Sequence, residues 1–189
     1  MRMIKPFYQG KLDTFCAIYA VLNALRLTHG IRTSKAREIL NATLLGISEN
    51  RKLFEDVLYM RTNYVDMVDG VLQAVSQRMP LEVVKPFPNG ASPDEFWQKT
   101  GEWLAADPKS AVIFRFLRYL KPDADALNKH WTTADSLEND ILHLFDCSHE
   151  AEAILNIRKD SFVTRTEDVN REKLLCIQPE SARFARLPF

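Results

Sequence analysis

Apolar residues first recur at helical spacing. Phe15, Ile18, Tyr19, Leu22 and Leu25 fall three or four residues apart, the stripe of an amphipathic helix, and Gly30 supplies a stop. Asp13 or Thr14 stands where a side-chain cap belongs, which puts Cys16 in the first turn. The same spacing continues through SKAREILNATLLG, ENRKLFEDVLYM and YVDMVDGVLQAVSQR, so residues 33–77 read as helices. LEVVKPF follows as a short strand. In SPDEFWQKTGEWLAAD, Ser92 precedes Glu95 by three residues with Pro93 between them, a capping box with proline at the first helical position.

Beyond this helix the period shortens. SAVIFRFLRYL is rich in β-branched and aromatic residues, HWTTADS and ILHLFDC flank the turn LEND, and SFVTR and LLCIQPESARFARL complete a run of strands. KPDADALNK, residues 121–129, is an exposed loop between strands. Helices followed by strands predict an α+β fold over residues 1–189 as one domain, with a helical half at about 1–107 and an antiparallel, meandering sheet at about 108–189. No repeat or low-complexity linker divides the chain.

At 189 residues and 46% hydrophobic content, such a domain buries a sizeable core without disulfides or metals. Lys+Arg and Asp+Glu are both 25, so no basic excess points to nucleic acid or an anionic membrane. Cys16, Cys147 and Cys176 are widely spaced and odd in number, the pattern of reduced thiols rather than of a disulfide scaffold or zinc site. No segment has the apolar length of a signal peptide or of a membrane span of ~18 residues. These features predict a cytosolic protein, although export by a C-terminal or cryptic signal leaves no such mark.

Candidate chemistry centres on Cys16. Helix N-termini carry unpaired N–H groups and partial positive charge, which favour a thiolate. Thiol catalysis also needs an imidazole, a polar group to orient it and donors for an oxyanion. His130 opens the strand HWTTADS after the polar loop, and Asp146 closes ILHLFDC. A hairpin turning at residues 137–140 places the two opposite each other, where the carboxylate would fix the imidazole tautomer. Gln9, seven residues before Cys16, would bring its amide beside the Cys16 N–H. Taken singly, each has a plainer reading: a packing cysteine, a strand-end histidine, a turn aspartate. Their joint order is what points to catalysis.

The remaining candidates read as structural. By strand alternation His143 points away from Asp146, and His149 follows in a loop, so both take surface roles; His29 ends the first helix. Four histidines without HxxxH or HxH spacing argue against a metal site, and no cofactor is expected. Cys147 would face away from Asp146, and Cys176 belongs to the core. Trp97, Trp103, Phe114 and Phe116 are packing residues. Trp131, beside His130, would shield the imidazole or line a substrate cleft.

QGKLDTFCAIYAVLNAL resembles the glutamine-to-cysteine signature that opens papain-like cysteine peptidases, and KHWTTADSLENDILHLFDCS resembles their later His-then-Asp/Asn hairpin. The closest branch is that of bacterial double-glycine-leader peptidases, whose third catalytic member is an aspartate, as Asp146 would be. Josephin-type deubiquitinases come second, echoed by Cys16, Ala17, Asn23, His130 and Trp131. Ala17 and Phe15 depart from the leader-peptidase pattern, and Asp146 stands where Josephin-type enzymes carry asparagine, so substrate is not carried over.

The resemblance implies a papain-like fold, with the helical half packed on the sheet. It also implies a thiol hydrolase cleaving a peptide or isopeptide bond through Cys16, His130 and Asp146, with Gln9 in the oxyanion hole. An acyltransferase of transglutaminase type uses the same triad, and a catalytically silent binding module of this fold, or an unrelated domain in which all four residues are structural, also stays open. The expected partner is a peptide or protein substrate, with restraint supplied by narrow specificity, a regulatory protein partner or the 121–129 loop acting as a gate, since the segment before Gln9 is too short to fill a cleft.

Overall fold

A computed structural model describes residues 4–10, 14–62, 64–148 and 154–188. Its first helix, α1, spans Cys16–His29 and ends where Gly30 adopts the left-handed conformation, φ 64°, that glycine reaches without strain. Phe15 holds the N-cap position without a side-chain bond; Thr14 Oγ1 donates instead to the Val57 carbonyl at 3.4 Å, and Asp13, the other expected cap, lies outside the described residues. Helices α2 (Thr33–Ser48), α3 (Arg51–Leu58) and α4 (Val65–Ser76) follow the periodic segments, and the short strand β1 is Glu82–Val84. In α5, Pro93–Ala106, Ser92 accepts the Glu95 N–H as the capping box predicts.

The second half supplies β2 (Ser110–Arg118), β3 (Asn128–Glu138), β4 (Ile141–Leu144), β5 (Asn156–Arg158), β6 (Phe162–Val163) and β7 (Leu175–Arg186). Mixed helices and a largely antiparallel sheet make the fold α+β, but the sheet is not a meander. Its order is β1-β7-β2-β3-β4-β5, with β6 paired parallel to β7. The last strand thus inserts between the first and second, because its apolar residues on both faces need cover that an edge position lacks. β5, too short to carry an alternation signal, was not legible in the sequence.

Helices cover both faces of the sheet. Ala111, Ile113 and Trp131 pack with α1 and α4, whereas Val112, Phe114, Phe116 and Ala134 pack with Phe96, Trp97 and Leu104 of α5. Burial on both sides explains why β2 reads as a continuous apolar run. Arg183, buried on β7, reaches α4 with a bidentate pair to Asp69, its second guanidinium bond 3.0 Å long.

The β3–β4 hairpin fixes the site's register. Its turn is the two-residue Asn139–Asp140 pair, with φ 51° and 60°, the doubly left-handed form that matches strand twist. Pairing runs Glu138↔Ile141, Leu137↔Leu142 and Ser136↔His143, then shifts at a bulge to Ala134↔Leu144. Carried on, this register puts Asp146 beside Thr132, so His130 and Asp146 are diagonal neighbours on one face rather than directly opposed as the broader 137–140 turn implied. A β-branched residue is strained in the left-handed region. Asp140→Val is therefore expected to lower stability by about 1–2 kcal/mol in chemical denaturation, whereas Asp140→Gly keeps or raises it.

Candidate active site

Cys16 is the first residue of α1, so its main-chain N–H belongs to the opening turn, which has no acceptor within the helix. The α1 axis lies against β2 and β3, tied by the Thr133 hydroxyl donating to the Ala20 carbonyl at 2.7 Å. Seven residues after Cys16, the buried Asn23 amide accepts from the Phe7 N–H at 2.7 Å and donates to the carbonyls of Phe7 and Phe145, both at 3.3 Å. One side chain thereby docks two other segments onto α1: the one bearing Gln9 and the one bearing Asp146. Between these segments the Gln9 N–H donates to the Cys147 carbonyl at 2.8 Å.

His130 Nε2 lies 2.7 Å from Asp146 Oδ1 and 3.1 Å from Ser148 Oγ. The contacts of the imidazole with Asp146, Ser148 and Cys147 all fall on Nε2, and the nearby Cys16 side chain helps to raise the imidazole pKa. The imidazole also packs against Phe116, ring centroids 5.4 Å apart. Asp146 is buried, and its Oδ1 further accepts from Thr132 Oγ1 at 3.1 Å and from the Cys147 N–H at 2.7 Å. Burial alone would pull the His130 pKa down; hydrogen bonds to Asp146, Cys147 and Cys16 and the charge of Asp146 outweigh it and push the value up to about 12. Burial likewise works against ionised Asp146, but the His130 bond and charge, with Ser148 and the Cys147 N–H, hold its carboxyl below the usual range. Each group thus favours the charged form of the other.

Cys147 does not face away as strand alternation suggests. The strand ends at Leu144, and the freed chain places Cys147 Sγ 3.9 Å from His130 Nε2, 3.8 Å from Gln9 Oε1 and 4.0 Å from the Cys16 carbonyl. Two thiols therefore flank one imidazole, and their surroundings separate them. Cys147 is 1% exposed, with burial pushing its pKa up to about 11, and packs into the core with Trp131; Cys16 is 7% exposed and lines an open cavity. Cys16 is the thiol a reagent can meet. Cys176 sits in a separate apolar cluster with Leu117, Val163 and Val169, and none of the three cysteines is in a disulfide.

Ligand atoms of His130, Asp146 and Cys147 lie within 4.8 Å of one another. The 2.7 Å His130–Asp146 contact is shorter than the roughly 3.3 Å that ~2 Å bonds set between two ligands of a tetrahedral ion, and suits a shared proton better than a metal. Trp131, 1% exposed, lines the cavity beside Cys16. His29 closes α1 with Nε2 3.0 Å from the Pro80 carbonyl, and His143 pairs in register with Ser136 away from the cluster. His149 lies outside the described residues. Thr132 and Ser148 escaped the sequence reading, though Thr132 shares the His130 face by the two-residue period. The chain matches no family model and no curated protein.

The pair makes a signed prediction for stability. An imidazole whose folded pKa stands above its unfolded value of 6.5 stabilises fully below that value and loses the contribution as pH rises through the folded pKa. A carboxyl held below 3.8 contributes above that value and loses it as pH falls through its depressed folded pKa. The stability gap between wild type and His130→Gln, read by urea titration, is therefore expected to be widest between about pH 4 and 6.5 and to narrow above it.

Proposed function

We propose that the protein is a thiol hydrolase of papain-like type that cleaves a peptide or isopeptide bond. The observation that carries this reading is the imidazole of His130, held by buried Asp146 at 2.7 Å, with Cys16 near enough to help raise its pKa and itself lining a cavity. An imidazolium beside a thiol at a helix N-terminus favours the thiolate, the attacking form.

In this mechanism Cys16 Sγ bonds to the substrate carbonyl carbon, and the carbonyl electrons move onto oxygen. The Cys16 N–H and the Gln9 side chain, held at the site through the Gln9–Cys147 main-chain bond, supply the donors for that oxyanion. As the tetrahedral centre collapses, the C–N bond breaks and His130 gives its proton to the departing amine. His130, now neutral, takes a proton from water as the water oxygen attacks the thioester; Cys16 leaves as thiolate and a carboxylic acid is released. Asp146 stays ionised throughout and keeps the imidazole in one tautomer and orientation, with Thr132 and the Cys147 N–H fixing the carboxylate in turn. Asp146 and these supports are positioning groups.

The test is alkylation by iodoacetamide followed by mapping of the labelled cysteine. At about pH 6, well under the free-cysteine pKa of ~8.5, wild type is expected to be modified at Cys16 rather than Cys147, and at least tenfold faster than His130→Ala. Equal, slow labelling of both proteins would falsify the reading and favour a binding module.

A further inference from the structure

Two thiols, not one, stand at the His130 imidazole. Cys147 Sγ lies 3.9 Å from His130 Nε2 and 4.0 Å from the main-chain oxygen of Cys16, although 131 positions separate the two cysteines in sequence. Charge on Cys16 acts on Cys147, and the Cys16 side chain also bears on the imidazole, so both sulfurs belong to one small cluster. Thiol hydrolysis uses the first alone. A buried nucleophilic group beside the attacking sulfur is left without a task in it.

Their surroundings fit the two sulfurs for different steps. Cys16 lines a cavity of about 310 Å³, where a small solute reaches it, whereas Cys147 is 1% exposed. The Cys147 main chain is fixed on both sides: its N–H donates to Asp146 Oδ1 at 2.7 Å, and its carbonyl accepts from the Gln9 N–H at 2.8 Å. The sulfur is held less firmly. Its contacts to Gln9 Oε1 and the Trp131 carbonyl are 3.8 and 3.9 Å long, and a thiol is a weak donor, so rotation about its one side-chain bond toward Cys16 breaks no strong interaction there. Cys176, in its separate apolar cluster, is outside this arrangement.

We infer that Cys16 and Cys147 form a redox pair, in which a hydroperoxide entering the cavity oxidises Cys16 and Cys147 converts the product into a disulfide that switches the enzyme off reversibly. The inference rests on Cys16 being the activated thiol beside His130. With hydrogen peroxide, the Cys16 thiolate bonds to one peroxide oxygen and the O–O bond breaks. The leaving hydroxide takes the imidazolium proton of His130 and departs as water. Cys16 is then a sulfenic acid, and the peroxide has been reduced by the two electrons the sulfur lost. Next the Cys147 sulfur bonds to the Cys16 sulfur, the S–O bond breaks, and the hydroxyl leaves with the Cys147 proton as a second water. Loss of charge from Cys16 removes one of the influences that raise the Cys147 pKa, so the resolving thiol ionises more readily at the moment it is needed. Burial keeps Cys147 from bulk oxidant while leaving it within a side-chain rotation of the oxidised sulfur. The disulfide also spares Cys16 the irreversible sulfinic acid.

The experiment treats the reduced protein with hydrogen peroxide and maps its cysteines by mass spectrometry without reductant. The expected product is a Cys16–Cys147 linked peptide, formed at a rate independent of protein concentration, with Cys176 still free and with iodoacetamide labelling of Cys16 restored by dithiothreitol. In Cys147→Ser and Cys147→Ala no link forms and Cys16 passes on to sulfinic acid, so the labelling recovered after the same peroxide dose is expected to fall about fivefold or more against wild type. Two replacements, and a wild-type map that needs neither, keep the test valid if one variant fails to fold. Rapid labelling of Cys16 before peroxide, followed by sulfinic acid in wild type and variants alike with no link, overturns the redox pair alone. Labelling before peroxide at the rate of an ordinary thiol overturns the catalytic reading and the redox pair with it.

Discussion

The Asn23 amide is the contact on which the site depends. Its three hydrogen bonds join α1 to the segment before it and to the segment after β4, a sequence separation of 122 residues in the second case. All of these main-chain groups need partners once buried, and an apolar residue at position 23 would strand them. Because the amide lies two helical turns from Cys16, the clamp also sets the height of Gln9 and Asp146 against the thiol. A helix that simply packed on the sheet would leave that height free.

Around this clamp the sheet fixes the placement of His130 and Asp146. The tight Asn139–Asp140 turn and the bulge after it place His130, Thr132 and Asp146 on one face, and the opposite face takes α1 through Thr133. The carboxylate accepts from the imidazole, a hydroxyl and a main-chain N–H at one oxygen, so neither its charge nor its position depends on solvent.

Much of this was legible in the sequence, for identifiable reasons. Helical periods in the first half, the Ser92 capping box and the Gly30 stop are local signals, and local geometry obeyed them. Cys16 at a helix start and His130 near Asp146 followed from the same kind of signal. What stayed hidden was non-local. The apolar residues on both faces of β7 call for a central place, but which strands flank it is decided by distant segments. The diagonal pairing of His130 with Asp146 depended on a turn two residues tighter than LEND suggests and on a bulge that no pattern announces. Cys147 was misjudged because alternation was carried past Leu144, where the strand has already ended. Ser148 comes from a segment distant in sequence, brought to His130 only by the fold.

The proposed mechanism requires His130 to be an imidazolium held between the Asp146 carboxylate and the Cys16 thiol. Titration of the His130 ring by heteronuclear NMR tests it most directly, in wild type and in Asp146→Asn. The ring is expected to stay protonated beyond about pH 8 in wild type and to lose its proton at distinctly lower pH in the variant. A ring that titrates near the ordinary value of about 6.5 in both proteins would contradict it.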